Sequence, residues 1–498
     1  MDSISLQQLQ NVTHEFAAPF RLQADGQVIY CQELIRVVPG KRLVFLGTFT
    51  NDRYTDLPVI VKLFVHASRA KKHWLREYDG AKLLSDNSIP TPDAIAQGIS
   101  DEGIYFLIFR FIEGQNLASF WQANKQSDRE QKIKSMLSVL EQHHRLGLAH
   151  QDLHYANFLL GDDGIVYTLD GEEVKSSSVP LSKSLRLKNL ALFLAQTFDL
   201  SKNTCVSLLQ DYYQLASITA STEDSEQFWR LIKGYHQQRI DQYLKKIIRE
   251  CTEVIYEKNQ SGYTLCRRDK QNNVKKNNEL SKLLAQPELF FNDERSEFLK
   301  QGNTCTVKLV WVNNEPYVIK RYNPKGIAYE LTHKGKNSRA RKSWINAHLL
   351  RFMGLLTPEP IALIEQQAAL GKRCSYFISQ YTEGQDSWDF FCDKNNSDAD
   401  KQLAAEELLA TLKRLCDYNI SHGDLKGSNF LVSKNKVWLL DLDALTQHSS
   451  HWRFRKNWQR DKQRFLKNWG KKACYEPWKD YFNQALADEP NDSDNVAG

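Results

Sequence analysis

One short pattern of polar residues occurs twice in this chain, once in each half. Residues 150–153 read His-Gln-Asp-Leu, and residues 422–425 read His-Gly-Asp-Leu. In each copy an asparagine, Asn157 or Asn429, follows the aspartate by five residues, and the next apolar run ends in a further aspartate. A repeat of this kind constrains the fold strongly, because a duplicated motif implies that the secondary structure around it is duplicated too.

The repeat can be tested by comparing the separations of matching residues along the chain. The pairs are Lys62 and Lys320, Glu113 and Glu383, Asp152 and Asp424, and Asp170 and Asp441. The last three pairs have almost the same separation, and that of the lysines is slightly shorter. Four pairs in one order and at nearly one offset indicate two copies of one domain. A chain of 498 residues is also too long for one ordinary core. We therefore expect one domain over residues 1–250 and a second over residues 251–498.

The apolar patterns around these landmarks predict a strand-rich part followed by a helical part in each half. Strands are predicted over residues 42–49, 57–65, 105–111, 304–311, 315–322 and 375–381, and helices over residues 69–84 and 338–353. Ser127 and Glu130 have the spacing of a capping box, which predicts the start of a further helix. The sequence thus predicts an α+β fold of two tandem domains, each with a β-rich N-lobe and a mainly helical C-lobe.

The repeated residues suit the transfer of a phosphoryl group from ATP. Such a reaction needs an aligned acceptor hydroxyl and cations that neutralise the charge on the phosphate oxygens. Asp152 and Asp424 are predicted to accept the proton of the attacking hydroxyl. Carboxylate and amide oxygens are the ligands that Mg²⁺ prefers. The predicted ligand pairs are Asn157 with Asp170 and Asn429 with Asp441.

A lysine closes an apolar strand in each half, which predicts a phosphate contact for Lys62 and Lys320. A lysine that merely extends from a strand edge into solvent is the alternative interpretation. Glu77 lies fifteen residues after Lys62 on the next predicted helix, where it can form the ion pair that orients the lysine.

The second copy departs from the first at two positions. Alignment places Ala347 opposite Glu77, so that Asn346 or His348 substitutes or Lys320 is held in another way. In the other direction, Lys426 follows the loop aspartate by two residues and is predicted to touch the γ-phosphate, whereas the first copy has His154 there.

The segments that follow the strand-end aspartates bear on the class of acceptor. A protein kinase carries a long segment there that ends in an Ala-Pro-Glu anchor and supports a peptide. Here a helical pattern resumes within about 20 residues of Asp170, and sooner after Asp441. The sequence therefore favours a small-molecule or sugar hydroxyl as the acceptor.

Positive charge is concentrated near the end of the second half. Residues 451–472 hold nine lysines and arginines against the single Asp461, together with Trp452, Trp458 and Trp469. One interpretation is peripheral contact with an anionic membrane surface. The alternative interpretation is a solvated helix whose tryptophans pack on its own lobe. No part of the chain resembles a base-reading module, so no nucleic-acid partner is expected.

Composition and the two ends of the chain bear on its location. With 41% apolar and 25% charged residues the chain has the composition of a soluble globular protein, and it has no 18-residue apolar run. The start lacks the features of a signal peptide, so we expect a cytoplasmic protein. Nine cysteines without a CxxC motif favour reduced thiols. Residues 266–279 are expected to form an exposed loop, and the acidic residues 488–498 a short disordered tail.

Residues 338–350, 422–429 and 441–445 together resemble the lipopolysaccharide core kinase family. The first half resembles it more loosely, through residues 76–78, 90–92 and the loop. The resemblance implies a protein-kinase-like fold, the use of ATP and Mg²⁺, and a lipid-linked saccharide acceptor, the Kdo or heptose of the inner core. Two alternatives stay open, namely a protein Ser, Thr or Tyr kinase, and a chain in which one domain is a non-catalytic pseudokinase that binds the substrate.

Overall fold

The computed structural model describes residues 4–487, except residues 13–15, 17–18, 178, 260–261, 269–277, 324–336, 368–372, 470–473 and 475. The chain divides into two compact units, Met1–His236 and Gln237–Gly498, and both are mixed α/β. The division falls inside a helix, Thr222–Lys246, at residue 236 rather than at residue 250. We call these the first unit and the second unit.

An antiparallel sheet forms the N-terminal part of the first unit. Its strands are β1 (Phe20–Ala24), β2 (Gln27–Val38), β3 (Arg42–Thr50), β4 (Leu57–Phe64), β5 (Ala94–Ile99) and β6 (Tyr105–Arg110), and their order is β1-β2-β3-β4-β6-β5 among the described residues. Helix α1 (Leu6–Gln10) precedes the sheet, and helix α2 (Ala70–Asp86) follows β4. The structure confirms the strands predicted over residues 42–49, 57–65 and 105–111 to within a residue or so.

The two faces of β4 have different partners. Val59, Val61 and Leu63 belong to a fully buried cluster that also includes residues of α1. Because side chains alternate across a strand, Lys62 and Phe64 point to the other face, where α2 packs. This alternation directs Lys62 toward the helix that carries Glu77.

The rest of the first unit is mainly helical. Its elements are β7 (Gly114–Asn116), α3 (Leu117–Ala123), α4 (Gln126–Arg145), β8 (Leu148–His150), β9 (Phe158–Gly161), β10 (Val166–Thr168), β11 (Val174–Ser176), α5 (Lys183–Leu194), α6 (Lys202–Leu215) and α7 (Thr222–Lys246). The predicted capping box at Ser127 and Glu130 is wrong. Helix α4 begins at Gln126, and its N-cap residue, Lys125, makes no side-chain cap bond.

The second unit begins with another antiparallel sheet. Its strands are β12 (Val254–Asn259), β13 (Gly262–Arg267), β14 (Glu297–Gln301), β15 (Cys305–Val312), β16 (Glu315–Tyr322), β17 (Pro360–Gln367) and β18 (Arg373–Gln380), with α8 (Asn278–Ala285), α9 (Pro287–Phe291) and α10 (Arg339–Phe352). Over the described residues the strand order is β12-β13-β17-β18-β16-β15-β14. The loop predicted over residues 266–279 is bounded by β13 and α8, and its middle lies outside the described residues.

The helical part of the second unit contains β19 (Gln385–Asp386), α11 (Ser387–Cys392), α12 (Asp398–Asp417), β20 (Ile420–Ser421), β21 (Phe430–Ser433), β22 (Lys436–Leu439), β23 (Thr446–Gln447), α13 (His451–Trp469) and α14 (Glu476–Ala487). In the basic helix α13, Trp458 and Trp469 are buried, whereas Trp452 is 70% exposed. Two of its three tryptophans therefore pack on their own unit. In the part of the chain that the structure describes, no helix is both long and apolar enough to cross a bilayer. The predicted tail, residues 488–498, lies outside the described residues.

The sequence repeat has a counterpart in strand order. Strands β2-β3-β4-β6-β5 of the first unit and β14-β15-β16-β18-β17 of the second have the same order and the same antiparallel pairing. In chain order, α2 lies between β4 and β5 of the first unit, and α10 lies between β16 and β17 of the second. The short strands β7–β11 and β19–β23 then follow, and they pair with one another in the same way. The units differ at the sheet edges, where the first adds β1 and the second adds β12 and β13.

One disulfide contradicts the prediction that all nine cysteines are reduced. Cys392 at the end of α11 is bonded to Cys474, which lies just before α14. Their Cα atoms are 5.5 Å apart, within the usual range for a disulfide. The other seven cysteines are not part of this disulfide. The two partners lie 82 residues apart in the chain, and only the fold brings them together.

We predict that Gly80→Ala destabilises the first unit. A Cβ atom at Gly80 would lie 2.0 Å from the backbone oxygen of Gly171, so helix α2 would have to move away from that turn. The expected loss in the free energy of unfolding is about 2 kcal/mol. Gly234→Ala in α7 is the matched control, because nothing lies within 4 Å of its added methyl and alanine favours a helix by up to ~1 kcal/mol. Urea denaturation of the full chain checks both, and a Gly80→Ala chain as stable as wild type would contradict the packing.

Candidate active site

The first unit contains a cleft of about 290 Å³ between its sheet and the β9–β10 hairpin. Four residues predicted from the sequence line it, namely Lys62, Glu77, Asn157 and Asp170. Lys62 Nζ contacts Glu77 Oε1 and lies 4.9 Å from the centre of the Phe109 ring. The structure thus brings together the lysine, the helix glutamate and the two residues expected to hold a metal.

Arg42 is a member of this cluster that the sequence reasoning missed. Its guanidinium donates to Glu77 Oε2 at 2.5 Å and to Asp170 Oδ2 at 3.2 Å. In the β3–β4 register Val44 pairs with Lys62, and Arg42 lies two residues before Val44 on the same face. A basic residue two positions from the cross-strand partner of Lys62 becomes a signal only when the β3–β4 register is known.

Burial and pairing set the charge states in the first cleft. Burial raises the pKa of Glu77 above its ordinary value, although Lys62 and Arg42 act in the opposite direction. Burial would also raise the pKa of Asp170, but the charges of Lys62 and Arg42 hold it well below its usual range. Asp170 is therefore ionised at neutral pH.

The strand-end aspartates adopt an unusual backbone conformation in both units. Asp170 has φ +56° and Asp441 has φ +59°, in the left-handed region that most residues avoid. Such strain persists where the surrounding structure fixes the backbone, and it is concentrated at functional sites. Asp170 Oδ1 is buried and has no hydrogen-bond partner among the described residues. An ionised, unpartnered carboxylate oxygen in a cleft fits a cation.

The loop asparagine of the first unit is turned toward the loop backbone. Asn157 Nδ2 donates to the carbonyl oxygen of Asp152 at 3.0 Å, which leaves the amide oxygen as a ligand atom. The Asp152 side chain is exposed and does not belong to the described lining of the cleft. Here the predicted base is connected to the cleft residues through its backbone.

The second unit contains the corresponding cleft, with a volume of about 690 Å³. Lys320, Lys426, Asn429 and Asp441, all predicted from the sequence, line it. Lys320 Nζ contacts Asp441 Oδ1 and lies 3.4 Å from Asp443 Oδ2. Burial would lower the pKa of Lys320, but Tyr322, Asp441 and Asp443 raise it above its ordinary value. Although burial acts to raise the pKa of Asp441, Lys320 lowers it to about 2.

The structure decides how Lys320 is held without a glutamate on α10, the helix that follows its strand. Asn346 Nδ2 donates to the carbonyl oxygens of Leu442 and Leu445, at 2.8 and 2.9 Å, and so fixes the turn rather than the lysine. His348 is hydrogen-bonded to Tyr243 at 2.9 Å. Of the three predicted options, the third is observed, because Lys320 pairs with acids of the turn itself.

Asp443 is the acid that the sequence reasoning overlooked in the second unit. Arg339, at the start of α10, donates to it at 2.7 Å. Glu172 precedes Asp443 by the same separation that relates Asp170 to Asp441. Glu172 likewise bonds a basic residue of α2, His73, at 3.0 Å. The repeat offset was therefore the signal that could have identified both acids.

The loop aspartate of the second unit lies between two cations. Asp424 accepts from Lys426 Nζ at 2.8 Å and from Arg464 Nη1 at 3.0 Å. Arg464 also donates to the carbonyl oxygen of Gly423 at 2.8 Å. Asn429 Nδ2 donates to the Asp424 carbonyl at 2.8 Å, as Asn157 does to Asp152. Unlike its counterpart, Asp424 is held in place through its side chain.

Helix α13 carries a residue that fixes the backbone of this loop. Buried Asp461 accepts from the backbone N–H groups of His422 at 2.7 Å and Gly423 at 3.0 Å. Asn189 precedes Asp461 by the same separation that relates the two loop aspartates, and it bonds both backbone groups of His150. The two units therefore anchor the loop at equivalent positions. Leu192 occupies the position equivalent to Arg464.

Residues 301–477 match the lipopolysaccharide kinase (Kdo/WaaP) family. This confirms, for the C-terminal part of the chain, the resemblance seen in the sequence. Among curated proteins the chain is similar to probable serine/threonine-protein kinase PknB of Bifidobacterium longum, with 22% identity over 149 residues. It is also similar to probable serine/threonine-protein kinase FMP48 of Saccharomyces cerevisiae, with 27% identity over 140 residues. The alignments cover 28% and 26% of this chain, but only 21% and 37% of the two relatives.

Several solved kinase structures are similar to part of the chain. One is described as WaaP in complex with acyl carrier protein, with 17% identity, a TM-score of 0.30 and coverage of 42% of this chain and 89% of that one. The bifunctional kinase-methyltransferase WbdD has 13% identity and a TM-score of 0.32, with coverage of 43% and 53%. The PknI kinase domain of Mycobacterium tuberculosis has 14% identity and a TM-score of 0.28, with coverage of 44% and 99%.

We predict that Asp461→Ala destabilises the second unit. The change removes the acceptor for two backbone N–H groups of the loop, and the expected cost is about 3 kcal/mol in the free energy of unfolding. Asp461→Asn should recover more than half of this loss, because the first unit uses Asn189 at the equivalent position. Urea denaturation compares the two variants. Equal losses for alanine and asparagine would show that the side-chain oxygen is not the anchor.

Three buried histidines lie beside the loop of the first unit. His150 Nε2 is 3.0 Å from His143 Nδ1, and His144 is hydrogen-bonded to Tyr212 at 2.7 Å and to Asn189 at 3.0 Å. Burial lowers the pKa of His144 and of His150 to about 4, and it also lowers the pKa of His143. All three are therefore neutral in the folded chain at neutral pH.

These lowered pKa values predict that acid destabilises the first unit. In the unfolded chain these histidines bind protons with an ordinary pKa near 6.5. The free energy of unfolding should therefore fall as the pH drops from about 6.5 to about 4. His144 and His150 each contribute on the order of 3 kcal/mol to this loss. His144→Gln keeps a hydrogen-bonding side chain without the titration. Its stability, measured by urea denaturation at pH 7 and pH 4.5, should decline less than that of wild type, and an equal decline would exclude His144 as a cause.

Proposed function

We propose that this chain is an ATP- and Mg²⁺-dependent phosphotransferase that phosphorylates a sugar hydroxyl of the lipopolysaccharide inner core, on Kdo or heptose. The observation that carries the proposal is the second cleft, where Lys320, Asn429 and Asp441 converge within the residues that match the family model. We also propose that the two units are tandem protein-kinase-like domains. The shared strand order and the nearly constant residue offset support this.

On the nucleotide side, the basic residues of the cleft would neutralise phosphate charge. Lys320 is the buried cation, and Lys300 Nζ lies 3.5 Å from Asp441 Oδ2 at the opening of the cleft. Asn429 and Asp441 would hold Mg²⁺, as would Asn157 and Asp170 in the first unit. Bound Mg²⁺ supplies further neutralisation of the phosphate oxygens and orients them. The unpartnered, ionised Asp170 Oδ1 is the feature that best fits a metal.

On the acceptor side, Asp424 would accept the proton of the sugar hydroxyl. The hydroxyl oxygen forms a bond to the γ-phosphorus while the bond from that phosphorus to the bridging oxygen of ADP breaks. Lys426 lies 2.8 Å from Asp424, where its charge can follow the transferred phosphoryl group. Arg464 orients the carboxylate from the other side. These are positioning and electrostatic roles, which carry most of the catalysis in phosphoryl transfer.

The short segments after the strand-end aspartates support a saccharide rather than a peptide acceptor. Helix α13 begins at residue 451, ten residues after Asp441, and α5 begins at residue 183, thirteen residues after Asp170. Neither segment has the length of a peptide-binding shelf. A protein Ser, Thr or Tyr kinase is the second candidate function, because the curated relatives PknB and FMP48 carry protein-kinase names.

We place the reaction in the cytoplasm, at the inner face of the inner membrane, because a lipid-linked core saccharide would be presented there. Helix α13 supports contact with an anionic surface through its charges. Its tryptophans contribute little to such contact, because only Trp452 of the three is exposed. Peripheral attachment would therefore be electrostatic and sensitive to salt.

The two units differ most around the loop aspartate. The first unit has His154 and Leu192 where the second has Lys426 and Arg464, and its Asp152 is exposed. These differences favour the second unit as the main catalytic unit. The first unit would then act as a nucleotide-binding partner or as a pseudokinase that binds substrate.

We predict that Asp424→Asn lowers kcat for sugar phosphorylation at least ~100-fold, because the amide cannot accept the hydroxyl proton. Asp152→Asn should lower kcat by less than about threefold if the first unit does no chemistry on this acceptor. Asp480→Asn, an exposed change on α14, is the control and should behave as wild type. Transfer of labelled phosphate from ATP to core oligosaccharide, and separately to a generic protein substrate, is the measurement. Transfer only to protein would replace the proposal with the protein-kinase candidate, and full activity of Asp424→Asn would refute the mechanism.

A further inference from the structure

The exposed face of helix α13 carries a regular row of cations. Its members are Arg453, Lys456, Arg460, Arg464 and Lys467, which we call the cationic stripe. Their spacings along the helix are three, four, four and three residues. At about 100° per residue these spacings confine all five to an arc of roughly 80°, and at about 1.5 Å per residue they extend over roughly 21 Å. The stripe is thus an extended, single-sign surface on a rigid element.

Four of the five stripe cations have no ion-pair partner among the described residues. Among the described residues only Arg464 of the five forms an ion pair, with Asp424. The single acid of the helix, Asp461, is buried against the loop. Like charges three and four residues apart on a helix repel one another. A row that keeps this repulsion over four turns is suited to a ligand that supplies the opposite charge.

The stripe is joined directly to the candidate active site. Arg464, one of its members, contacts both the carboxylate of Asp424 and the carbonyl of Gly423. From this point the stripe extends toward Arg453 in one direction and Lys467 in the other. A molecule that lies along it therefore has one part beside the residue expected to receive the hydroxyl proton.

The first unit does not repeat the stripe. When the chain is aligned on Asp152 and Asp424, the equivalent positions are Leu181, Ser184, Lys188, Leu192 and Ala195. Only one of these five is basic. The stripe is therefore a property of the unit whose loop aspartate is held through its side chain.

We propose that the cationic stripe binds the phosphate or carboxylate groups of an extended anionic saccharide, and that it presents a hydroxyl of that saccharide to Asp424. The proposal rests on the proposed function and assigns its acceptor site. Guanidinium groups match the geometry of phosphate and carboxylate, and three of the five cations are arginines. The apolar face of the helix, with Phe454, Trp458, Phe465 and Trp469, is buried. Without an exposed apolar face, contact of α13 with a bilayer would depend on charge alone, whereas a saccharide on the stripe would also reach Asp424 through Arg464.

The test removes three charges and leaves Arg464 in place. The triple variant R453Q/K456Q/R460Q should weaken binding of lipid-free, phosphorylated core oligosaccharide on the order of 10- to 100-fold, at roughly two- to fivefold per charge. Its acceptor KM should rise by a similar factor, while kcat and the KM for ATP stay unchanged. The variant K413Q removes one charge from the exposed face of another helix, α12, and should match wild type. Chemical removal of the phosphates from the oligosaccharide should weaken wild-type binding at least tenfold.

Binding and turnover are measured separately so that two failures can be told apart. A full chain that binds the oligosaccharide through the stripe but transfers no phosphate to it would refute the proposed function and support the stripe as a saccharide site. An active chain whose triple variant binds and reacts like wild type would refute the stripe. Binding to vesicles of anionic phospholipid that the triple variant loses, with oligosaccharide binding unchanged, would assign the stripe to the membrane and overturn the proposal.

Discussion

Each cleft depends on a buried ion-pair network that joins the sheet to the turn after the strand-end aspartate. In the first unit, Arg42 bonds both Glu77 and Asp170, and Lys62 bonds Glu77. Glu77 and Arg42 are 1% and 4% exposed, so removing one partner would leave an uncompensated buried charge, at a cost of roughly 3–5 kcal/mol. The network therefore fixes the position of the aspartate as firmly as the apolar core fixes the sheet.

The two units fix the lysine and the strand-end aspartate with different residues, and the difference decides which element holds the lysine. In the first unit the network passes through Glu77, so α2 carries the acid that both Lys62 and Arg42 bond. In the second unit Lys320 is held by Asp441 and Asp443, which belong to one short turn. Helix α10 contributes Arg339 and Asn346, which bind that turn rather than the lysine. The lysine of the second unit is thus less dependent on the position of its helix.

The sequence predicted what is local or repeated, and missed what arises from tertiary contact. Strands β3, β4 and β6 follow from apolar runs, and the cleft residues follow from motif spacing. Arg42 could not be assigned without the β3–β4 register, because its partner Asp170 lies 128 residues away. The Cys392–Cys474 pair was missed for the same reason. Ser127 illustrates the opposite error, since the spacing of a capping box was present but the helix begins one residue before it.

The pattern of retention and change between the units separates two sides of the proposed reaction. Lys62, Asn157 and Asp170 each have an identical counterpart in the second cleft, and these are the residues expected to meet nucleotide and metal. Two changes fall around the loop aspartate, where the first unit has His154 and Leu192 and the second has Lys426 and Arg464, and one falls on the nucleotide side, where Ala347 is opposite Glu77. A duplicated domain that had lost its function would be expected to lose its buried charges first, because their desolvation costs free energy. Retention of these three residues, with only the partner of the lysine changed on the nucleotide side, instead supports the proposal that both units bind nucleotide and differ more in what they bind beside it.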